Sequence, residues 1–273
     1  MNSILQFAQA IAREAGQLIK DERADAALTH DYKNGDELVT NADIKADQLI
    51  CGAIAKQFPD HRTLSEEASP DLGEIHKIAT PLWIIDPIDG TVNYAHGHNQ
   101  SAISIAYVER GQTRVGVVYN PFSEELFCAE QGKGATLNGN PISVSRETDL
   151  RRSLIATGFP YDKSTLGPMI PRLHAVLRNC ADMRRLGSAA LDICFLAMGR
   201  LDGYYENLSV WDFAAARLIA LEAGAECGHF SAVPEGIDPQ FYDQNILIAN
   251  PAIYPQLRAL LQAADNASAS ESA

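Results

Sequence analysis

The stretch Trp83-Ile84-Ile85-Asp86-Pro87-Ile88-Asp89-Gly90-Thr91 constrains this chain more than any other. Trp83 to Ile85 is an apolar run with β-branched residues, which suits a buried strand. Pro87 drives Asp86 out of the helical region, and Gly90 permits a tight turn where a helix can begin. Two carboxylates three residues apart at the mouth of a strand repel one another unless a positive charge sits between them. A divalent cation supplies that charge. The backbone N–H groups of Gly90 and Thr91, at a turn or helix start, face an anion. Cation and anion cradle side by side point to phosphate. The same residues equally suit a polar strand-to-helix turn with a threonine cap, so the rest of the chain must decide.

A chain of 273 residues, 46% hydrophobic, holds one large domain or two smaller ones and can bury a sizeable core. Its net charge of −13 argues against direct nucleic-acid binding, which needs a basic face. It does not exclude a small phosphate ester, because bound cations reverse the local field. Five widely spaced cysteines without a CxxC pair fit free thiols in a reducing cytoplasm. Met1 to Lys20 places Ile4, Leu5, Phe7, Ala8, Ile11, Ala12, Ala15, Leu18 and Ile19 on a helix stripe, interrupted by Arg13 and Glu14. That pattern predicts an amphipathic surface helix rather than a signal peptide or membrane span. The small, polar residues 264–273 predict a disordered tail.

After the first helix, Asp31 to Glu37 reads as a charged loop, and a helix runs from about Ala42 to Phe58 with Thr40 or Asn41 as its cap. Beyond the central stretch, residues 101–109, 113–119, 125–129 and 135–137 are short strands joined by tight turns. Short connections make antiparallel neighbours, so residues 1–140 read as helices on an antiparallel sheet. Residues 141–263 alternate differently. Strands are expected near 153–156, 181–186, 201–206 and 245–249, with helices near 168–179, 188–198, 212–223 and after Asn250-Pro251. This half is a mixed sheet with helices, and the whole is an α+β protein.

Four further acidic residues stand at or near the ends of elements. Asp43 opens the second helix, where a negative charge suits the helix dipole. Glu66 and Glu67 follow a short extended piece, and an adjacent acidic pair ordinarily belongs to a solvated surface. Asp212 lies in the first turn of the helix after Trp211, a capped start with an acidic residue. Taken together, Glu66, Asp86, Asp89 and Asp212 match what two Mg²⁺ ions about 4 Å apart require. Hard oxygen ligands without histidine favour Mg²⁺ over Zn²⁺. His96 and His98 follow the central motif and are expected to pack or hydrogen-bond near the turn.

WIIDPIDGTVNYAH and WDFAAARLIALEAGA resemble the two motifs of the inositol monophosphatase family, the lithium-sensitive, magnesium-dependent sugar phosphatases. Both occur in the family's order and separation, with Ser65-Glu66-Glu67 and Leu38-Val39-Thr40-Asn41-Ala42-Asp43 upstream. The likeness runs from the first helix to about residue 262. It implies a layered αβαβα sugar-phosphatase fold and a homodimer. Carried over by position, it implies a first metal on Glu66, Asp86 and the Ile88 carbonyl, and a second on Asp86, Asp89 and Asp212. A third, weaker ion would be held through waters at Glu66, with Glu67 close by. The resemblance further implies that Thr91 and Asp43 orient and deprotonate the attacking water. The Gly90 and Thr91 amides would hold phosphate oxygens. Gly187, Ser188, Ala189 and Glu206 would meet the substrate's hydroxyl groups alongside Asp89 and Asp212, and Lys33 would lie in a mobile loop over the site.

One departure from the family's pattern affects the substrate side. Glu206 stands six positions before Asp212 rather than seven. The shortening leaves the metal ligands alone and shifts the group that reads the sugar. A phosphomonoesterase acting on inositol 1-phosphate or a similar polyol phosphate is the leading expectation. Fructose 1,6-bisphosphate and 3'-phosphoadenosine 5'-phosphate are alternatives, since Arg184, Arg185 and Lys163 supply charge for a second phosphate. From another class, the chain is an interaction protein that has lost catalysis.

Overall fold

Helix α1 (Asn2–Ala24) buries Ile4, Ala8, Ile11, Ala12, Ala15 and Ile19 of the stripe expected of it, with Leu5, Phe7 and Leu18 partly buried against the same core. The computed structural model describes residues 2–24, 29–33, 37–68, 75–160 and 163–271. Strands β1 (His30–Lys33) and β2 (Glu37–Thr40) pair antiparallel, so Lys33 ends a strand where a loop is expected. Residues 34–36 of that expected loop, and the side chain of Lys33, lie outside the described residues. Helix α2 (Asn41–Gln57) is capped by Thr40 and Asp43 acting as a reciprocal capping box.

Seven strands follow in one sheet and in chain order: β3 (Arg62–Ser65), β4 (Leu82–Asp89), β5 (Ala102–Glu109), β6 (Gln112–Asn120), β7 (Glu125–Glu130), β8 (Ala135–Leu137) and β9 (Asn140–Pro141). Helix α3 (Thr91–Ala95) sits between β4 and β5. The sheet is antiparallel except that β3 and β4 run parallel, which corrects the all-antiparallel expectation. The connection through residues 66–81 is long enough for the crossover a parallel pair requires. Strand β4 also continues through Pro87 to Asp89, beyond the apolar run Trp83 to Ile85 that reads as a strand. The register shifts between Asp86 and Asp89, so a bulge accommodates the residue that has no N–H.

The second sheet has the order β11 (Asp182–Arg184), β10 (Leu154–Thr157), β12 (Gly203–Glu206), β14 (Ile246–Ala249), β13 (Glu226–His229). Strand β10 is parallel to β11 and β12, while β14 is antiparallel to both its neighbours. Between and around these strands run α4 (Met169–Asn179), α5 (Ala189–Ala197), α6 (Val210–Glu222) and α7 (Tyr254–Glu271). Residues 264–271, expected as a disordered tail, continue α7, since alanines there favour helix over coil.

Side-chain alternation stacks these pieces into five layers. Along β4, Trp83 and Ile85 join α1 and α2 in one core, while Leu82 and Ile84 turn to α5 and α6 in a second. Along β12 and β14, Tyr204, Ile246 and Ile248 meet that same central helix pair from the other side. Tyr205, Leu247 and Ala249 face outward to α4 and α7. The order is therefore helices, seven-stranded sheet, helices, five-stranded sheet, helices, the αβαβα arrangement. Both sheets are covered on both faces, which explains their nearly continuous apolar runs. Helix α6 lies closest to the first sheet. A Cβ at Gly116 of β6 would come within 2.5 Å of the Ala215 carbonyl oxygen, so glycine and the small Ala214-Ala215-Ala216 run set that distance. No described helix is long and apolar enough to cross a membrane.

Candidate active site

The carboxyl-terminal end of β4 and the starts of α5 and α6 meet at one point, each contributing an acid or holding one. Asp86 accepts from the Ile88 N–H at 3.0 Å, an Asx turn inside the bulge. Two residues on, Gly90 has φ +89°, and a Cβ there would lie 2.7 Å from the Gln100 oxygen and 2.9 Å from the Gly187 oxygen. Only glycine both adopts that conformation and fits that gap. Asp89 is gripped by the start of α5. It accepts from the Ser188 hydroxyl and from the Ala189 and Ala190 N–H groups at 3.2 and 2.8 Å. Asp212 caps α6, taking the Ser209 N–H at 2.9 Å on Oδ2.

Carboxylate oxygens of Asp86, Asp89 and Asp212 lie within 4.8 Å of one another, the only such group of three among the described residues. Burial, then the charges of Glu66, Asp89 and Asp212, push the Asp86 carboxyl well above the usual range. Burial also raises Asp89, to about 6, against the lowering effect of the bonds from Ser188 and the α5 amides. Asp212 is raised by burial and by Asp89 and Glu206. Buried acids that repel one another and offer only oxygen suit a hard divalent cation such as Mg²⁺. Helix α5 explains why Ser188 and Ala189 matter: their polar groups are committed to Asp89.

Behind the triad, Asp43 and Thr91 are joined. The Thr91 hydroxyl lies 3.1 Å from Asp43 Oδ1 and 3.0 Å from the Ile88 oxygen, so its single proton is shared between two acceptors. Asp43 Oδ2 accepts from the Thr40 N–H at 2.8 Å and the Thr40 hydroxyl at 2.5 Å. Asp43 is thus a helix-capping residue and the partner of Thr91 at once. Burial and the Glu67 charge raise its carboxyl to about 6, with the Thr40 and Thr91 bonds opposing.

A pocket of about 340 Å³ opens over these groups. It is lined by Glu66, Asp86, Ile88, Asp89, Gly90, Thr91, Gly187, Ser188, Ala189, Glu206 and Asp212. Asp43, Glu67, His96 and His98 do not line it, and both histidines are exposed. Despite the short link to Asp212, Glu206 still reaches the pocket. Its Oε2 accepts from the Tyr204 hydroxyl, and burial pushes its carboxyl up to about 7 against that bond and the Arg185 charge. Of the three basic residues weighed from the sequence, Arg185 lines the pocket, and Arg184 and Lys163 do not. The wall also contains Asp192, Asn207 and Asp243, which sequence reasoning missed. For Asp192 a signal existed, because it is the single charged residue in the apolar run Ala189-Ala190-Leu191-Asp192-Ile193-Cys194-Phe195-Leu196-Ala197.

Comparison with protein families matches residues 1–267 to the inositol monophosphatase family. Among curated relatives, the Nus factor SuhB of Vibrio cholerae is 39% identical over 265 residues, 96% of each chain. Among solved structures, the extragenic suppressor protein suhB of Bartonella henselae aligns with a TM-score of 0.86 at 34% identity, covering 95% of this chain and 98% of its own. The Thermotoga maritima IMPase aligns with a TM-score of 0.85 at 30% identity, covering 98% and 100%.

Proposed function

The chain belongs to the inositol monophosphatase family, and we propose that it is a Mg²⁺-dependent phosphomonoesterase acting on inositol 1-phosphate or a similar polyol phosphate, as a cytoplasmic homodimer. The observation that carries this reading is the convergence of Asp86, Asp89 and Asp212 beside the Thr91–Asp43 bond, at the mouth of one pocket. In this reading Glu66, Asp86 and the Ile88 carbonyl hold one ion, and Asp86, Asp89 and Asp212 hold the other. Mg²⁺ held by these residues would supply charge to neutralise the phosphate, acidify a water and stabilise the departing alkoxide. The chain's own residues position and move the protons. Thr91 Oγ1 takes a proton from the attacking water as its own proton passes to Asp43 Oδ1. A carboxyl raised to about 6 is a stronger base than an ordinary one, and burial beside Glu67 supplies that rise. The Gly90 and Thr91 amides steady the phosphate oxygens, and Glu206 meets a hydroxyl of the leaving group.

The test is phosphate release from a panel of esters, with and without Mg²⁺, by the wild type and by Asp86→Asn. We expect Mg²⁺-dependent hydrolysis of polyol phosphates and a loss of at least about 100-fold in the variant, since an amide supplies less charge to both ions. Near-full turnover of Asp86→Asn in limiting Mg²⁺ would overturn the assignment. The relatives named as Nus factors, not as hydrolases, favour a second reading in which the chain is a non-catalytic interaction protein. Wild-type protein releasing no phosphate from any ester of the panel would select it.

A further inference from the structure

Asp192 belongs to none of the roles assigned above. It sits in the first turn of α5, one helical turn beyond Ser188, and is only 2% exposed. It nevertheless lines the pocket, close enough to Glu206 and Arg185 to feel their charges. Its Oδ1 is buried and has no hydrogen-bond partner within the protein. A carboxyl oxygen without a partner in such a place is costly, and native structures seldom retain one without a use. Burial first, then the Asp89 and Glu206 charges, push the carboxyl well above its usual range, with Arg185 opposing.

The geometry rules among the possible partners. A metal ion is a poor one, because the only described acids whose oxygens converge within 4.8 Å are Asp86, Asp89 and Asp212. A second phosphate is also a poor one: Asp192, Glu206 and Asp89 would repel it, with Arg185 the only basic residue among the described residues lining the pocket to offset them. A neutral hydroxyl group suits the place, since it donates to a carboxylate and accepts from a carboxylic acid. We propose that Asp192 is a specificity-determining residue which, with Glu206, binds hydroxyl groups of an uncharged polyol on the leaving-group side of the pocket. This rests on the phosphomonoesterase reading and narrows it. The substrate class becomes monophosphates of neutral polyols, and sugar bisphosphates and nucleotide bisphosphates fall outside it.

The experiment compares two esters that share the phosphate and differ in the leaving group. Inositol 1-phosphate carries ring hydroxyls, and phenyl phosphate carries none. Steady-state kcat and KM are measured for wild type, Asp192→Ala and Asp192→Asn, alongside the Mg²⁺ dependence of each. Losing the carboxyl should lower kcat/KM for inositol 1-phosphate by about 10-fold or more, mainly through KM, while leaving phenyl phosphate within about twofold. Asp192→Asn, which keeps an acceptor, should recover part of that loss, and the Mg²⁺ concentration for half-maximal rate should not move in either variant. Equal losses on both esters, or no loss on inositol 1-phosphate, would overturn the proposal. Should Asp192→Ala lack a cooperative thermal melt, the near-isosteric Asp192→Asn carries the comparison alone, with a partial and ester-selective loss expected. Wild-type protein inert on both esters would instead sink the phosphomonoesterase reading itself.

Discussion

Thr91 and Asp43 stand 48 positions apart in the chain, yet the Thr91 hydroxyl reaches Asp43 Oδ1 at 3.1 Å. If they work as one base, Thr91→Ala and Asp43→Asn should each lower kcat by about 100-fold or more, and the double variant should be little worse than either. The pH profile adds a sign. Asp43 titrates at about 6, so below that pH its carboxyl is protonated and cannot take up a proton. Wild-type kcat should therefore rise with pH through about 6 and level off, and Asp43→Asn should be slow without that rise. A capping residue alone would cost about 0.5–2 kcal/mol of stability and spare kcat. Kinetics and melting of both singles and the double separate the two. At this scale much was legible in the sequence. Asp86, Asp89, Gly90 and Asp212 each stand where turn chemistry or a helix start announces them. Asp192 was missed although it interrupts an apolar run, because the run alone does not say whether that acid is buried or solvated.

Elements with a long period or bounded by clear turn signals were readable, the short strands β8, β10, β12 and β14 among them, and some other short ones were not. Helices α1, α2 and α6 announce themselves through stripes or caps, but β1, β2, β9 and β13, at four residues or fewer, carry no period to detect. The parallel pairing of β3 with β4 is decided by where the chain returns after residues 66–81, which no local pattern encodes. Close packing is similarly hidden until two elements meet. Gly116 reads as an ordinary weak point in a strand, yet the Ala215 carbonyl lies 2.5 Å from where its Cβ would be. Backbone cannot yield as a flexible side chain does, so Gly116→Ala should push α6 away from β6. We expect about 1–3 kcal/mol of lost stability in urea unfolding, the range for overpacking. Because α6 carries Asp212, the half-saturating Mg²⁺ concentration should rise as well. An unchanged midpoint would mean that the helix can shift freely, and that the small-residue run does not fix Asp212.

The whole molecule carries the cost of the site. Asp43 at about 6 and Glu206 at about 7 both stand above the ordinary carboxylate value of about 4, and Asp86, Asp192 and Asp212 are raised too. A carboxyl whose folded pKa exceeds its unfolded one binds protons more tightly in the native state. Its stabilising contribution is complete below about pH 4 and is lost as pH climbs through the folded values. The metal-free protein should therefore lose thermal stability between about pH 4 and pH 7, the opposite of the usual trend for paired carboxylates. Mg²⁺ binds the ionised acids, so it should raise Tm more at pH 8 than at pH 5. At roughly 100 times its Kd it adds about 2.7 kcal/mol, which is roughly 5–10 °C for a chain of this size. Melting curves from pH 4 to 8, in chelator and in Mg²⁺, test both halves. A metal-free Tm that rises steadily with pH would show that the acids are compensated within the protein, leaving no electrostatic reason for a cation to bind where Asp86, Asp89 and Asp212 converge.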